Sequence, residues 1–223
     1  MFDRYALYEI DTLRDRFALP AGVPKGVKPS YLVTPTRVAP VIVLRDGERQ
    51  MERMKWGFVR DTAKDDNAVF RYKTFVTKSD TILNKPTWKE AIRERRCIVP
   101  VNGFYVGASA KGGKEAYFVR PSSGGVFSLA GVYSTWRDES GAERGMFAVV
   151  TTIANKELAA LGERTPVILQ PSQEATWLDP AANDATTLYD LMRPYPSKEP
   201  LEIRRVHQRV LTTKKDSAEL LLE

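Results

Sequence analysis

Glycine and turn residues cut the middle of this chain into short β-branched runs, and nothing in it alternates regularly between strand and helix. Pro40–Arg45 and Met51–Phe58 flank Asp46-Gly47, a dipeptide suited to the positive-φ positions of a tight hairpin. Further β-rich runs fall at 97–106, 115–120, 126–134 and 146–153, punctuated by Gly112-Gly113, Gly124-Gly125 and Gly141. Helical signals lie at the flanks. Glu9–Leu19 carries Ile10, Leu13 and Phe17 at helical spacing and stops at Pro20, and a Pro/Gly-rich connector runs on to Pro29. Pro86 opens a short helix through Trp88, Ile92 and Arg95; others are expected at 155–161, 172–178, 184–193 and 216–222, the first three stopped by Gly162, Pro180 and Pro194. Without strand–helix alternation there is no parallel sheet to build. The expectation is an α+β fold, a curved, barrel-containing antiparallel sheet with short helices around it, forming one domain over 1–223.

Hydrophobic residues make up 43% of the 223, ample for such a core. Thirty-four Lys and Arg against twenty-eight Asp and Glu give +6 and a pI near 9.4, a bias towards polyanions that specifies none and that a functionally neutral basic surface would also produce. One cysteine excludes an internal disulfide, the start Met1-Phe2-Asp3-Arg4 carries no apolar leader, and no run is long enough to span a bilayer, so a cytoplasmic protein with no membrane contact is expected. Cys97 and His207 alone cannot supply a zinc site, and neither metal nor cofactor is expected. His207 sits in the basic run Arg204–Arg209, where a lone histidine reads as a surface or structural residue, and Cys97 opens an apolar run as a small buried residue. No Gly-x-Ser-x-Gly elbow and no phosphate-cradling Gly-Lys-Ser/Thr loop occurs.

Several segments together resemble one family, the SOS-response-associated peptidase (SRAP) family, over nearly the whole chain. They are Met1-Phe-Asp-Arg-Tyr5, Tyr31-Leu-Val-Thr-Pro-Thr36, Met54-Lys-Trp-Gly-Phe58, Lys85-Pro-Thr-Trp-Lys-Glu-Ala91, Arg95-Arg-Cys-Ile-Val-Pro100, Gly103-Phe-Tyr105, Leu129-Ala-Gly131, Val150-Thr-Thr152, Arg164-Thr-Pro-Val-Ile-Leu169, Trp177-Leu-Asp-Pro180 and Arg193-Pro-Tyr195. None is diagnostic alone; their order and spacing are. The resemblance implies a protein that processes abasic sites in single-stranded DNA during the damage response, by closing a thiazolidine ring between the abasic aldehyde and an N-terminal cysteine at position 2.

This chain departs from that pattern where the chemistry lies. Position 2 is Phe2, which has no thiol and whose bulk disfavours removal of Met1. The family's asparagine, ahead of its phosphate-binding arginine, falls on Val76, with Lys78 in place of the arginine. Its general acid/base glutamate falls on Val106 and its histidine on Gly162. Its DNA-wedging tryptophan falls on Thr62, and an asparagine near the start on Leu32. The resemblance therefore implies a catalytically degenerate member with no intact catalytic residue, which binds single-stranded DNA through Arg4, Lys78, Arg164 and the basic stretch around His207 and Arg209. Trp56 and Trp88 are candidate stacking platforms, although their apolar-patterned segments favour core positions. Two alternatives stay open: an abasic-site crosslinking or peptidase enzyme with a rearranged site, and a module that binds a protein partner through an apolar patch of Phe2, Val76 and Val106.

Overall fold

Asp46 and Gly47 take φ of 51° and 82°, and this turn folds the chain back on itself as the sequence predicts. The computed structural model describes residues 2–59, 69, 73–111, 113–137, 141–196 and 200–223; Thr62 and Gly112 lie outside them. The strands are β1 (Tyr5–Leu7), β2 (Ser30–Val33), β3 (Val38–Arg45), β4 (Glu48–Trp56), β5 (Val76–Lys78), β6 (Arg96–Val101), β7 (Gly103–Ala110), β8 (Gly113–Pro121), β9 (Phe127–Arg137), β10 (Glu143–Ile153), β11 (Arg164–Pro166), β12 (Ile168–Leu169) and β13 (Leu201–Val206). They form two sheets. One runs β13-β8-β7-β1-β2; the other runs β11-β10-β4-β3-β6-β9-β12, with β5 added to β10. Because β9 also pairs with β10, strands β10, β4, β3, β6 and β9 close into a barrel. Antiparallel pairing predominates, as expected, but β10 meets both β4 and β5 in parallel.

The barrel wall is apolar on both faces, since Val41, Ile42, Val43, Ile98, Val99 and Phe147 are all fully buried, and the Trp56 ring stacks on Phe147 at 6.2 Å. A second, smaller cluster of Leu32, Tyr105, Phe118, Val206 and Val210 lies on the five-stranded sheet. Short helices flank the sheets at Leu13–Arg16, Ala91–Glu94, Pro171–Leu178 and Ala185–Leu191, and the last is capped by Asp184, whose carboxylate accepts from the Thr187 amide at 2.9 Å. The tail expected as a helix near 216–222 is a 3-10 turn, Ala218–Leu221.

Two further expectations change. The segment 155–161 is a series of turns, because it buries only Asn155 and Leu158 and so has no apolar stripe to hold a helix against the sheet. The Asn155 side chain takes up the Leu158 amide at 3.0 Å instead. The run 97–106 is two strands in different sheets, parted at Asn102. Asn102 Oδ1 accepts from the Tyr8 and Glu9 amides at 2.8 and 3.0 Å, and its own amide donates to the Ala6 carbonyl at 2.8 Å. At Gly103 an added Cβ would stand 2.1 Å from Phe118 Cζ, so only glycine lets β7 approach β8 this closely. That break carries Phe104, Tyr105 and Val106 off the barrel and onto the neighbouring sheet.

Candidate functional site

Phe2, Val76, Val106 and Gly162, far apart in sequence, line a single cavity of about 320 Å³ together with Lys78 and Arg164. Each arrives from a different element. Alternation along β5 turns Val76 and Lys78 to one face and buries Thr77 on the other, while the parallel register sets Val76 beside Val149 and Lys78 beside Thr151. Val106 comes from β7, opposite Tyr117 of β8, and Gly162 from the turn that leads into β11. Phe2 is pinned from the N-terminal side, its ring 5.5 Å from Trp56, 5.9 Å and edge-on to Phe104, and 6.5 Å from Tyr5. It is buried, and Val76 and Val106 are half-buried against the same core. At Gly162, by contrast, an added Cβ would meet nothing within 4 Å.

The polar side of the cavity is held by Arg164. Its Nη2 donates to the Thr151 carbonyl at 2.7 Å and lies 2.8 Å from Asp80 Oδ1, while Thr151 Oγ1 donates to the Thr77 carbonyl at 2.8 Å. Partial burial pushes the Asp80 carboxyl up, but hydrogen bonding to its own backbone amide and the cations Arg164 and Lys78 outweigh it and hold the group below its ordinary value. Lys78 is exposed and forms no ion pair among the described residues. Glu163, Thr151 and Tyr105 also line the cavity, and sequence reading overlooked all three. Glu163 was in plain view directly after Gly162; attention to a single lost histidine passed over the carboxylate beside it. Tyr105 is no acid at neutral pH, since burial pushes its phenol far up and its hydroxyl donates to the Tyr31 carbonyl at 2.8 Å.

The remaining candidates lie elsewhere. Trp56 and Trp88 are core residues, not open stacking platforms: Trp56 is fully buried with Nε1 donating to the Phe75 carbonyl at 2.8 Å, and Trp88 packs on Phe58 at 4.5 Å. Arg4 donates to the Val210 carbonyl at 2.8 Å and pairs with Asp3 at 3.1 Å, tying the N-terminal strand to the C-terminal segment. His207 caps the turn 208–211, its Nδ1 accepting from the Arg209 amide at 3.0 Å, and Arg209 reaches Glu219 at 3.5 Å. His207 belongs to a separate cavity of about 440 Å³ shared with Glu115 and Arg205.

The other buried polar groups are structural. Glu174 accepts from Arg16, Arg49 and Ser128, and Arg96 donates to the carbonyls of Ile92, Arg93 and Trp177, its guanidinium pulled down to about 10 by desolvation. Burial likewise pushes the Cys97 thiol far up, leaving it inert. Among the described residues no cluster of His, Cys, Asp and Glu could hold a metal ion, and no helix is long and apolar enough to cross a membrane.

A closed five-strand barrel beside a second sheet, with few and short helices, is the SRAP-like fold. Residues 1–213 match the family model for SOS response associated peptidase (SRAP), and the chain belongs to that family. It is 30% identical over 224 aligned positions to the abasic site processing protein YoaM of Bacillus subtilis, spanning 99% of this chain and 97% of that one. The abasic site processing protein HMCES of Gallus gallus is 27% identical over 197 positions, covering 75% of this chain and 59% of that one. In three dimensions a crystal structure of a Bacteroides thetaiotaomicron protein superposes with a TM-score of 0.87 at 22% identity, over 99% of this chain and 98% of the other.

Proposed function

We propose that this chain acts as a single SRAP domain that binds single-stranded DNA at the Lys78–Arg164 cavity without the thiazolidine chemistry of a position-2 cysteine. The observation that carries the reading is the convergence of Phe2, Val76, Val106 and Gly162 on one cavity that still holds two cations. Three of the four replacements are apolar and lie against the core, so the reacting end of the site is filled while the end suited to phosphate is kept. Chance drift in a working enzyme would scatter such losses. The names of the relatives supply the ligand class, DNA carrying an abasic site, and the basic net charge of +6 favours that polyanion.

The deciding assay mixes the purified protein with undamaged and abasic single-stranded oligonucleotides. A shift on native gels that weakens with salt, and no denaturant-resistant band in the absence of reductant, is the expected result. No shift at low salt would overturn the reading, and a stable band without reductant would favour an enzyme with a rearranged site.

A further inference from the structure

We infer that the ε-amine of Lys78 captures the aldehyde of an abasic site as a reversible imine. This rests on the reading that the cavity receives single-stranded DNA, and it places a covalent step on Lys78, where the resemblance implies only a phosphate contact.

Three observations carry it. Among the described residues that line the cavity, Lys78 is the one that bears an amine, and β5 fixes its backbone by pairing with Thr151. Its acidic neighbour is already engaged, because Asp80 is held by Arg164 at 2.8 Å, so among the described residues the amine is not locked in a salt bridge. The walls beside it, Val76, Val106 and Phe2, are apolar and half-buried or buried. These walls can pack the sugar of a bound lesion beside the amine, which itself stays exposed to solvent.

Glu163, on the rim of the same cavity, supplies the proton carrier. The Lys78 ammonium gives one proton to the Glu163 carboxylate. The freed amine adds to the aldehyde carbon, forming a C–N bond as the C=O π bond opens, and one of the amine's own protons passes to the oxygen to make a hydroxyl. Glu163 then returns its proton to that hydroxyl, which leaves as water, and a protonated imine remains. One water is released, and nothing is oxidised or reduced. The linkage hydrolyses back by the same route, so the protein shields the lesion without being consumed.

The test incubates the intact protein with an abasic single-stranded oligonucleotide and sodium borohydride, a hydride donor that converts the imine to a stable secondary amine. Bound DNA is measured on a native gel in parallel. A denaturant-resistant band that requires borohydride, maps to Lys78 by peptide mass spectrometry, and falls to background per bound complex in Lys78→Arg is the expected outcome. Lys78→Arg keeps the charge at an exposed site and removes only the nucleophilic amine. Glu163→Gln should slow band formation without removing the band. Native binding with no reducible band overturns the imine and leaves the binding reading standing; a band that maps to another lysine or to the N-terminal amine overturns it too. No native shift and no band overturns both.

Discussion

Asp80 and Arg164 meet at 2.8 Å on the rim of the cavity, so one of its two cations already carries a carboxylate. The same Arg164 nitrogen is independently anchored to the Thr151 carbonyl at 2.7 Å, so the guanidinium stays in place if the carboxylate is removed. Asp80→Asn should therefore tighten single-stranded DNA binding. It should also steepen the dependence of log K on log salt by about 0.7, the increment for one further phosphate on a single strand. Fluorescence anisotropy over a salt series measures both. Weaker binding would mean that the ion pair, rather than the freed cation, shapes the site.

Arg164→Ala is the complementary change. It should weaken binding to all oligonucleotide sequences alike, because it leaves the Asp80 carboxylate uncompensated beside Lys78, and in the double variant with Asp80→Asn the added slope of about 0.7 should be absent, because the cation that supplies it is gone. Arg164→Lys should recover little of this, since a point charge cannot satisfy Thr151 and Asp80 together as the fork does. An effect confined to one sequence would point to base contact.

Which parts were legible in the sequence follows from how local their causes are. Asp46-Gly47 announces its hairpin because the turn geometry demands those residues. The break at Asn102 is also signalled, since Asn102-Gly103 is itself a turn dipeptide, but an apolar run on both sides masks it. Strand β5 is too short to announce itself, although Phe75, Val76 and Thr77 favour extended backbone; its three residues pair in parallel with β10, and that partner makes them a strand. Resemblance could assign residues 2, 76, 106 and 162 to one site, but how they meet there was not legible, because it depends on β5 and on the strand change at Asn102. Glu163 follows directly on Gly162, but only the cavity wall marks it as part of the site.

Two glycines give opposite expectations. Gly103→Ala places a methyl 2.1 Å from a buried ring tip between two paired strands, where nothing flexible can yield, and should cost about 1–3 kcal/mol or more. Gly162→His enters open space from a backbone that is not left-handed, and should shift stability by no more than about 0.5 kcal/mol. Urea denaturation of the two variants checks the contrast. A destabilised Gly162→His would show that the turn 155–162, not the cavity, sets the preference for glycine.

Val106→Glu tests whether the cavity has become part of the core. Val106 is half-buried on β7 and packs against the main cluster that contains Phe2 and Phe104. A carboxylate there loses water, and the groups it would need are committed: Arg164 to Asp80 and Thr151, Thr151 Oγ1 to the Thr77 carbonyl, and the Tyr105 hydroxyl to the Tyr31 carbonyl. Burying a polar group without a partner costs about 1–3 kcal/mol in proteins. For a chain of 223 residues each kcal/mol lowers Tm by roughly 2–4 °C. Val106→Glu should thus melt a few degrees below the parent, and the loss should shrink when Asp80→Asn is added, because that frees Arg164 to meet the new carboxylate. Scanning calorimetry of the two single variants and the double variant separates the terms. An unchanged or raised Tm in Val106→Glu alone would mean that Lys78 swings in to pair with it, in which case the apolar wall is thin and the site lies closer to an acid-bearing one than Val76 and Phe2 suggest.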